Sequence, residues 1–457
     1  MRWKSSLTIG LKMAPLFFQH GFISKEVTVV AVAVGTAPLS RFLYSLFFYL
    51  VLPFVFLRLY WRSLKEPSYR VSLMQRLGFG DEIHSDRLIW VHAVSAGETI
   101  AAAPLVRRLL DQGFDVLMTN MTPTGRERAA ALLGRRIENR YAPYDTPGAV
   151  TRFLNRTSPI ALIIVDTELW PNMLHYAANK GVKVMLVNGR LSEKSTRGYK
   201  KISALSQPMM DALFRVAAQS EPQGNRFISL GLSREKLRIT GSTKFDVERD
   251  TSAGSAIQLL ASSFKSRFVF IAASTHSGEE ELVLSALELL KQSIPEILLV
   301  LVPRHPHRTQ ELLKLCGASD FTTQKHSDGY DFNCSTMVYV LDTMGELMAF
   351  YSMSNVAFIG GSLVPVGGHN PMEPASFGLP LLMGPYLRNV DDIARQFIDE
   401  GAMKLVSSSK ELAAEVSLIQ SSESVIVERK NAALKVMERN KGALDRVEFM
   451  IIEALKG

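Results

Sequence analysis

The sequence predicts an α/β protein built from two doubly wound domains, and three observations predict it. From Arg87 onward, apolar β-rich runs alternate with stretches long enough for a crossover helix. These runs form two series, divided by the polar stretch "VERDTSAGSAIQLLASSFKS" from Val247 to Ser266, and the chain's 457 residues exceed what one hydrophobic core usually organises. Continuous apolar strands separated by helices mean parallel sheet covered on both faces. Two such series mean two doubly wound domains.

The elements are taken in chain order. Residues 1 to 41, with the weak apolar stretch "VTVVAVAVGTAPL" and an internal Met13, carry no assignable role. Phe42 to Leu57, "FLYSLFFYLVLPFVFL", holds no charge and is followed by Arg58, Arg62, Lys65 and Arg70. It is slightly short for a span and contains Pro53, so 42–65 reads as a membrane anchor or interfacial helix with its basic flank on the cytoplasmic side. A buried core helix is the plain alternative. A signal peptide fits poorly, because the run begins late and no small-residue cleavage site comes after it. Residues 66–246 then carry "LIWVHAV", "DVLMTN", "IALIIVDTE", "VKVMLVNGR", "RVAAQS" and "LRITGS" as the strands of the first domain. After the linker and entering helix at 247–266, residues 267–422 carry "RFVFIAAST", "ILLVLVPRH", "MVYVLDT", "NVAFIGGS" and "LPLLMGP" as those of the second. A helical segment, 423–457, closes the chain.

Composition limits the partners. With 47% hydrophobic and 21% charged residues the chain is globular, neither fibrous nor disordered on a large scale. Its two cysteines, Cys316 and Cys334, match neither a metal spacing nor a disulfide framework, which favours a reducing compartment. The net charge of +8 points to an anionic partner of unspecified class.

In open α/β sheets ligands collect beyond the carboxyl ends of the strands. Three turns there share one pattern, a polar cap residue with Glu three positions on: Ser95 and Glu98, Thr343 and Glu346, Asn370 and Glu373. Each alone reads first as a helix cap. Their recurrence beside glycine turns points instead to anion binding, since a helix start that attracts a carboxylate also attracts a phosphate. "VPRHPHR" places Arg304, His305, His307 and Arg308 after a strand, where a guanidinium suits bidentate phosphate binding or is simply part of a solvated basic loop. "DTELWPN" places Glu168 beside Trp170; an aromatic neighbour can desolvate a carboxylate and alter its protonation, or the tryptophan is merely core. "GSTKFD" carries Lys244 just before the interdomain stretch. No nucleophile elbow, Walker loop, zinc-protease pair or dinucleotide turn is present, and His92 with Ser95 makes no triad.

The stretches "VHAVSAGE", "MTPTGRER", "DTELWPN", "GSTKFD", "ASTHSGEEE", "VPRHPHR", "DTMGEL" and "FIGGSLVPVGGHNPMEPA" together resemble the 3-deoxy-D-manno-octulosonic acid (Kdo) transferases of lipopolysaccharide synthesis, over about residues 42 to 457. Two departures stand out: the family more often has Val where Ala96 stands and Glu where Asp166 stands. The resemblance implies the GT-B fold, two Rossmann-like domains facing a cleft, and an inverting transfer of Kdo from CMP-Kdo to a lipid A precursor, lipid IVA, at the cytoplasmic face of the inner membrane. It implies Glu98 as general base, with Glu168 and Lys244 stabilising the transition state. CMP would be held by Pro303 and Arg304, by Met344, Gly345 and Glu346, and by Asn370, Pro371, Met372 and Glu373. On this reading Ser95 caps its helix and Glu98 serves as base rather than as capping partner. No cofactor, metal or nucleic acid is expected. Two other classes stay open: a different membrane-associated GT-B enzyme using a UDP-sugar, and a non-catalytic anionic-lipid-binding protein.

Overall fold

A computed structural model describes residues 37–64, 66–247, 255–329 and 332–456. The expected roles of residues 1–36, of Lys65 in the basic flank and of the linker's first half lie outside the described residues. The chain divides into two compact units, one ending at Thr243 and resuming at Gly442, the other running from Lys244 to Lys441.

Unit 1 holds a parallel sheet of seven strands: β1 (Leu88–His92), β2 (Asp115–Asn120), β3 (Glu138–Tyr141), β4 (Ala161–Val165), β5 (Lys183–Gly189), β6 (Arg215–Ala218) and β7 (Leu237–Ile239). Their order is 3-2-1-4-5-6-7, so the winding reverses between β1 and β4, which pair through Trp90↔Leu162 and Val91↔Ile163. Alternation along each strand sends side chains to two cores. Leu88, Trp90, Leu162 and Ile164 join one, while Ile89, Val91, Ile163 and Val165 join the other. The second core also takes Leu444, Val447, Met450 and Ile451 from the last helix, Ala443–Lys456. That helix is held by Arg108, which pairs with Asp445 and Glu448, and by Lys183 Nζ donating to Ala454 O at 2.8 Å. The segment expected as one closing piece at 423–457 therefore divides. The helix Glu423–Asn440 packs in unit 2 and the last helix in unit 1, because each presents its own apolar face to a different sheet.

Unit 2 repeats the plan with β8 (Phe268–Thr275), β9 (Ile297–Pro303), β10 (Thr323–Lys325), β11 (Val338–Val340), β12 (Val356–Ile359), β13 (Leu381–Met383) and β14 (Met403–Leu405). All are parallel, in the order 10-11-9-8-12-13-14, and the winding reverses between β8 and β12. Three of the fourteen strands were not expected from sequence: β3, β10 and β14. All three are short sheet edges, "ENRY", "TQK" and "MKL", each interrupted by polar residues and too short to leave an apolar run.

The apolar N-terminal segment is one helix, Ala37–Ser63, which runs through Pro53. It is long and apolar enough to cross a membrane, and 6% of its most apolar window is buried, so it is not a core helix. Phe54 and Trp61 are 71% and 70% exposed. One edge is nonetheless anchored to unit 1. Tyr44 Oη donates to Asp145 Oδ2 at 2.8 Å, and Ser45 exchanges hydrogen bonds with Asn172. Asp145 also accepts from the backbone amides of Asn172 and Met173, yet burial pushes its carboxyl up to about 6.

Candidate active site

The reversal between β1 and β4 places two carboxylates together in unit 1. β1 ends at His92, and Ser95 begins the helix Ala96–Asp111 by accepting from Glu98 N at 3.4 Å. The Glu98 carboxylate turns back to the same helix start, accepting from Val94 N at 2.7 Å and from Ser95 Oγ at 2.9 Å. Sequence reasoning separated cap from base, whereas the fold gives the half-buried Glu98 the capping contacts as well. These contacts fix its rotamer at the strand end.

β4 ends in a turn that needs a left-handed residue, Asp166 at φ +60°. Aspartate tolerates this conformation better than most residues, which gives the departure from Glu a local reason. Asn188 Nδ2 donates to the Asp166 carboxylate and holds the turn. The chain then brings Glu168 to Trp170, whose Nε1 donates to Glu168 Oε2 at 3.1 Å. Trp170 is core and ligand at once: it is buried, and its ring meets His92 edge to face at 4.7 Å. Burial, then the neighbouring Glu98 charge, raise the Glu168 carboxyl to about 8 against the opposing Trp170 hydrogen bond. His92 itself is a core histidine: Nδ1 is bonded to Thr119 Oγ1 at 2.9 Å, the buried Nε2 has no hydrogen-bond partner among the described residues, and burial depresses the ring to about 3.

Of the two carboxylates, Glu168 is the one whose protonation its surroundings are seen to alter. At neutral pH Glu168 holds its proton. The sign for stability is then fixed: a carboxyl raised in the folded state binds a proton that the unfolded chain releases, so its contribution is complete below the ordinary carboxyl range and is lost as pH rises towards 8. Glu168→Gln should therefore flatten the fall in melting temperature between pH 5 and 8. Calorimetric melts of both proteins across that range check this, and parallel profiles would count against it.

Lys244 sits half-buried in the short turn Thr243–Phe245, where the chain enters unit 2. Within unit 2 the remaining predicted residues stand at three strand ends. Pro303 and Arg304 close β9; Met344, Gly345 and Glu346 come after β11; Asn370 to Glu373 come after β12 and a long loop. Arg304 is exposed, and among the described residues its guanidinium makes no hydrogen bond or ion pair. Arg308 differs, being committed to the buried Glu280 at 2.7 Å and to Glu311 at 2.9 Å. The other two cap-and-Glu pairs do bond side chain to side chain, Thr343 to Glu346 and Asn370 Nδ2 to Glu373 at 3.1 Å. Gly345 turns through φ +97°, so the next helix begins after Glu346 and Thr343 does not cap it, whereas Asn370 Oδ1 accepts from Met372 N at 3.0 Å at the start of the helix Met372–Ser376. Glu346 also meets the buried His326 at 3.1 Å. Burial raises the Glu373 carboxyl above the ordinary range, against the Asn370 hydrogen bond. Among the described residues no group of three or more His, Cys, Asp or Glu could hold a metal ion.

Residues 71–247 match the family model for 3-deoxy-D-manno-octulosonic-acid transferase (kdotransferase), a span that includes Glu98, Glu168 and Lys244. The 3-deoxy-D-manno-octulosonic acid transferase of Haemophilus influenzae is 36% identical over 413 residues, 89% of this chain and 97% of that protein. The chain belongs to the Kdo transferase family. A second member, from Bordetella pertussis, is 36% identical over 326 residues, covering 69% of this chain and 75% of that one. Among solved structures, the UDP-GlcNAc 2-epimerase of Neisseria meningitidis covers 81% of this glycosyltransferase with a TM-score of 0.55 at 16% identity. That likeness concerns fold alone and places the paired sheets among GT-B-like architectures.

Sequence reasoning missed three residues of "ASTHSGEEE" and "GGHN": His276, Glu279 and His369. The buried Glu279 accepts four backbone amides, from His276 and Gly361 on Oε2 and from Ser362 and Leu363 on Oε1, at 2.7 to 2.9 Å. It thereby ties the turn after β8 to the loop after β12. The one signal available was the motif itself, a carboxylate cluster at a strand end.

Proposed function

We propose that this Kdo transferase moves Kdo from CMP-Kdo to a lipid A precursor, lipid IVA, by a single displacement with inversion. The observation that carries the reading is the Glu98 and Glu168 pair at the winding reversal of unit 1, in a chain of this family. An acceptor hydroxyl must lose its proton as its oxygen attacks the anomeric carbon, and Glu98 is the carboxylate to take it. Glu168, protonated at neutral pH, remains a neutral hydrogen-bond donor beside it and so stabilises charge without competing for the proton. Lys244 adds positive charge in the same role. The bond from the anomeric carbon to the phosphate oxygen breaks as the new one forms, and CMP departs with the electron pair.

The departing phosphate needs a fixed cation, and the uncommitted Arg304 guanidinium supplies it. Pro303, Met344, Gly345, Glu346 and the Asn370–Glu373 turn complete the nucleotide site, with Glu373 accepting from ribose hydroxyls. The helix Ala37–Ser63, with Arg58, Arg62 and Arg70 at its end, would hold the enzyme at the cytoplasmic face of the inner membrane, where an acylated, phosphorylated acceptor lies.

Incubation of the purified protein with CMP-Kdo and a tetra-acylated lipid A precursor, read by product mass, tests the whole reading. Turnover with a UDP-sugar and not with CMP-Kdo would replace it. For the nucleotide site, Arg304→Ala is expected to weaken CMP binding by roughly 1.5 to 3 kcal/mol, the size of one charge-assisted hydrogen bond. Calorimetry with CMP measures it, and an unchanged affinity would move the donor elsewhere.

A further inference from the structure

The winding reversal of unit 2 is bridged by two imidazoles that the nucleotide site does not use. β8 is irregular between Ala273 and Thr275, where Ser274 adopts φ +58°, and His276 comes directly after. His369 arrives from the long loop after β12, the strand paired with β8. Two glycines allow this approach. A Cβ on Gly360 would meet Ser274 O at 2.5 Å, and one on Gly361 would meet the His369 ring at 2.9 Å. The two rings lie parallel within 3° at 5.1 Å, with His276 Nε2 and His369 Nε2 2.8 Å apart. At that distance one Nε2 donates to the other, so in this arrangement one of the two Nε2 atoms carries no proton to offer a ligand.

The surroundings favour an anion there. Exposed His305 stands edge-on to His276 at 5.9 Å, with His307 stacked on His305 at 5.5 Å, and exposed Arg304 precedes them. Of the acids after β8, Glu279 is taken up by four backbone amides and Glu280 by Arg308, while the exposed Glu281 accepts from Gly278 N at 3.1 Å. Burial, with the Arg304 charge adding to it in each case, keeps these rings neutral, lowering His276 and His305 and taking His369 to about 4. Glu279 opposes the shift at His276, and Arg308 reinforces it. Neutral imidazoles beside an uncommitted guanidinium are poised to take up a proton when an anion arrives. In an open α/β sheet the reversal of winding is where ligands bind.

We propose that His276 and His369, beside Arg304, form the subsite for the carboxylate of the donor sugar acid. The inference rests on the donor reading above and deepens it. An ulosonic acid carries its carboxylate on the same carbon that carries the phosphate, so the two anions must be held side by side. Arg304 takes the phosphate. The histidine pair takes the carboxylate: the Nε2–Nε2 hydrogen bond opens and one proton is drawn from solvent, so that both Nε2 atoms donate to the ligand.

The test separates the donor from its nucleotide. With CMP-Kdo and a detergent-dispersed tetra-acylated lipid A precursor, His369→Gln is expected to raise the donor KM about tenfold, the loss of one charge-assisted contact. Inhibition by CMP, which lacks the carboxylate, should stay within about twofold. His276→Asn leaves the backbone amides on Glu279 in place and should behave alike, and the double variant should add little because the two rings act as a pair. For the unaltered protein the donor KM should fall from pH 8 to pH 6 far more than the CMP inhibition constant. An unchanged donor KM, or a parallel loss of CMP inhibition, would overturn the subsite. CMP inhibition without any turnover of CMP-Kdo by the unaltered protein would overturn the transferase reading, and the subsite with it.

Discussion

Glu98→Gln is expected to lower Kdo transfer by roughly 100-fold or more while unit 1 stays folded, the scale on which removing a general base acts. The amide keeps the size of the side chain and one oxygen that can accept from Val94 N or Ser95 Oγ, as the carboxylate does now. It cannot take a proton. Because Glu98 both caps the Ala96–Asp111 helix and stands at the site, the two roles need separating. Ser95→Ala removes the cap and one of the two contacts on the Glu98 carboxylate, but leaves its proton-accepting oxygens and the Val94 N contact, and should cost about 1 kcal/mol of stability with a much smaller loss of rate. Comparable rate losses in the two variants would make helix geometry, and not proton transfer, the contribution of Glu98. Near-normal turnover in Glu98→Gln would remove it from the mechanism.

The largest effect on stability is expected at Glu279. Its two oxygens serve four backbone amides in a fully buried setting, and Glu279→Ala leaves those amides without a partner. Stranded buried donors cost about 1 to 3 kcal/mol each where water cannot reach them. Allowing for relaxation of the loop, a loss of about 3 to 5 kcal/mol is expected. It should appear in the urea midpoint of unit 2, monitored through Tyr339 and the neighbouring aromatics. Glu279→Gln is the sharper probe, since it preserves volume but turns an amide nitrogen towards N–H donors, and it should lose nearly as much. A Gln variant as stable as the parent would show that the four amides find other partners.

Much of this was legible because the relevant signals are local. Strands such as "LIWVHAV" and "ILLVLVPRH" sit in sheet centres, buried on both faces, so their apolar runs announce them. Glu168 and Trp170 are close neighbours in sequence, so their contact is legible there, although burial and the Glu98 charge, and not that hydrogen bond, raise the Glu168 carboxyl. What escaped was non-local or polar. His276 and His369 are ninety-three positions apart and meet only because β8 pairs with β12. The cap-and-Glu spacing marked the helix start at Ser95 and at Asn370, which accepts from Met372 N, yet not at Thr343, because Gly345 shifts that helix to begin after Glu346. An amphipathic closing segment shows that a face is buried, not which sheet buries it.

The split of that closing segment bears on how the protein is made. Leu444, Val447, Met450 and Ile451 complete a core whose other members, such as Ile89, Val91 and Ile163, leave the ribosome some three hundred residues earlier. Until the residues from Gly442 onward have been synthesised, the part of one sheet face that the last helix covers has no partner while unit 2, an insert in unit 1, is translated. The first unit begun is the last finished, and while unit 2 is translated its uncovered apolar patch is open to chaperones and to neighbouring nascent chains.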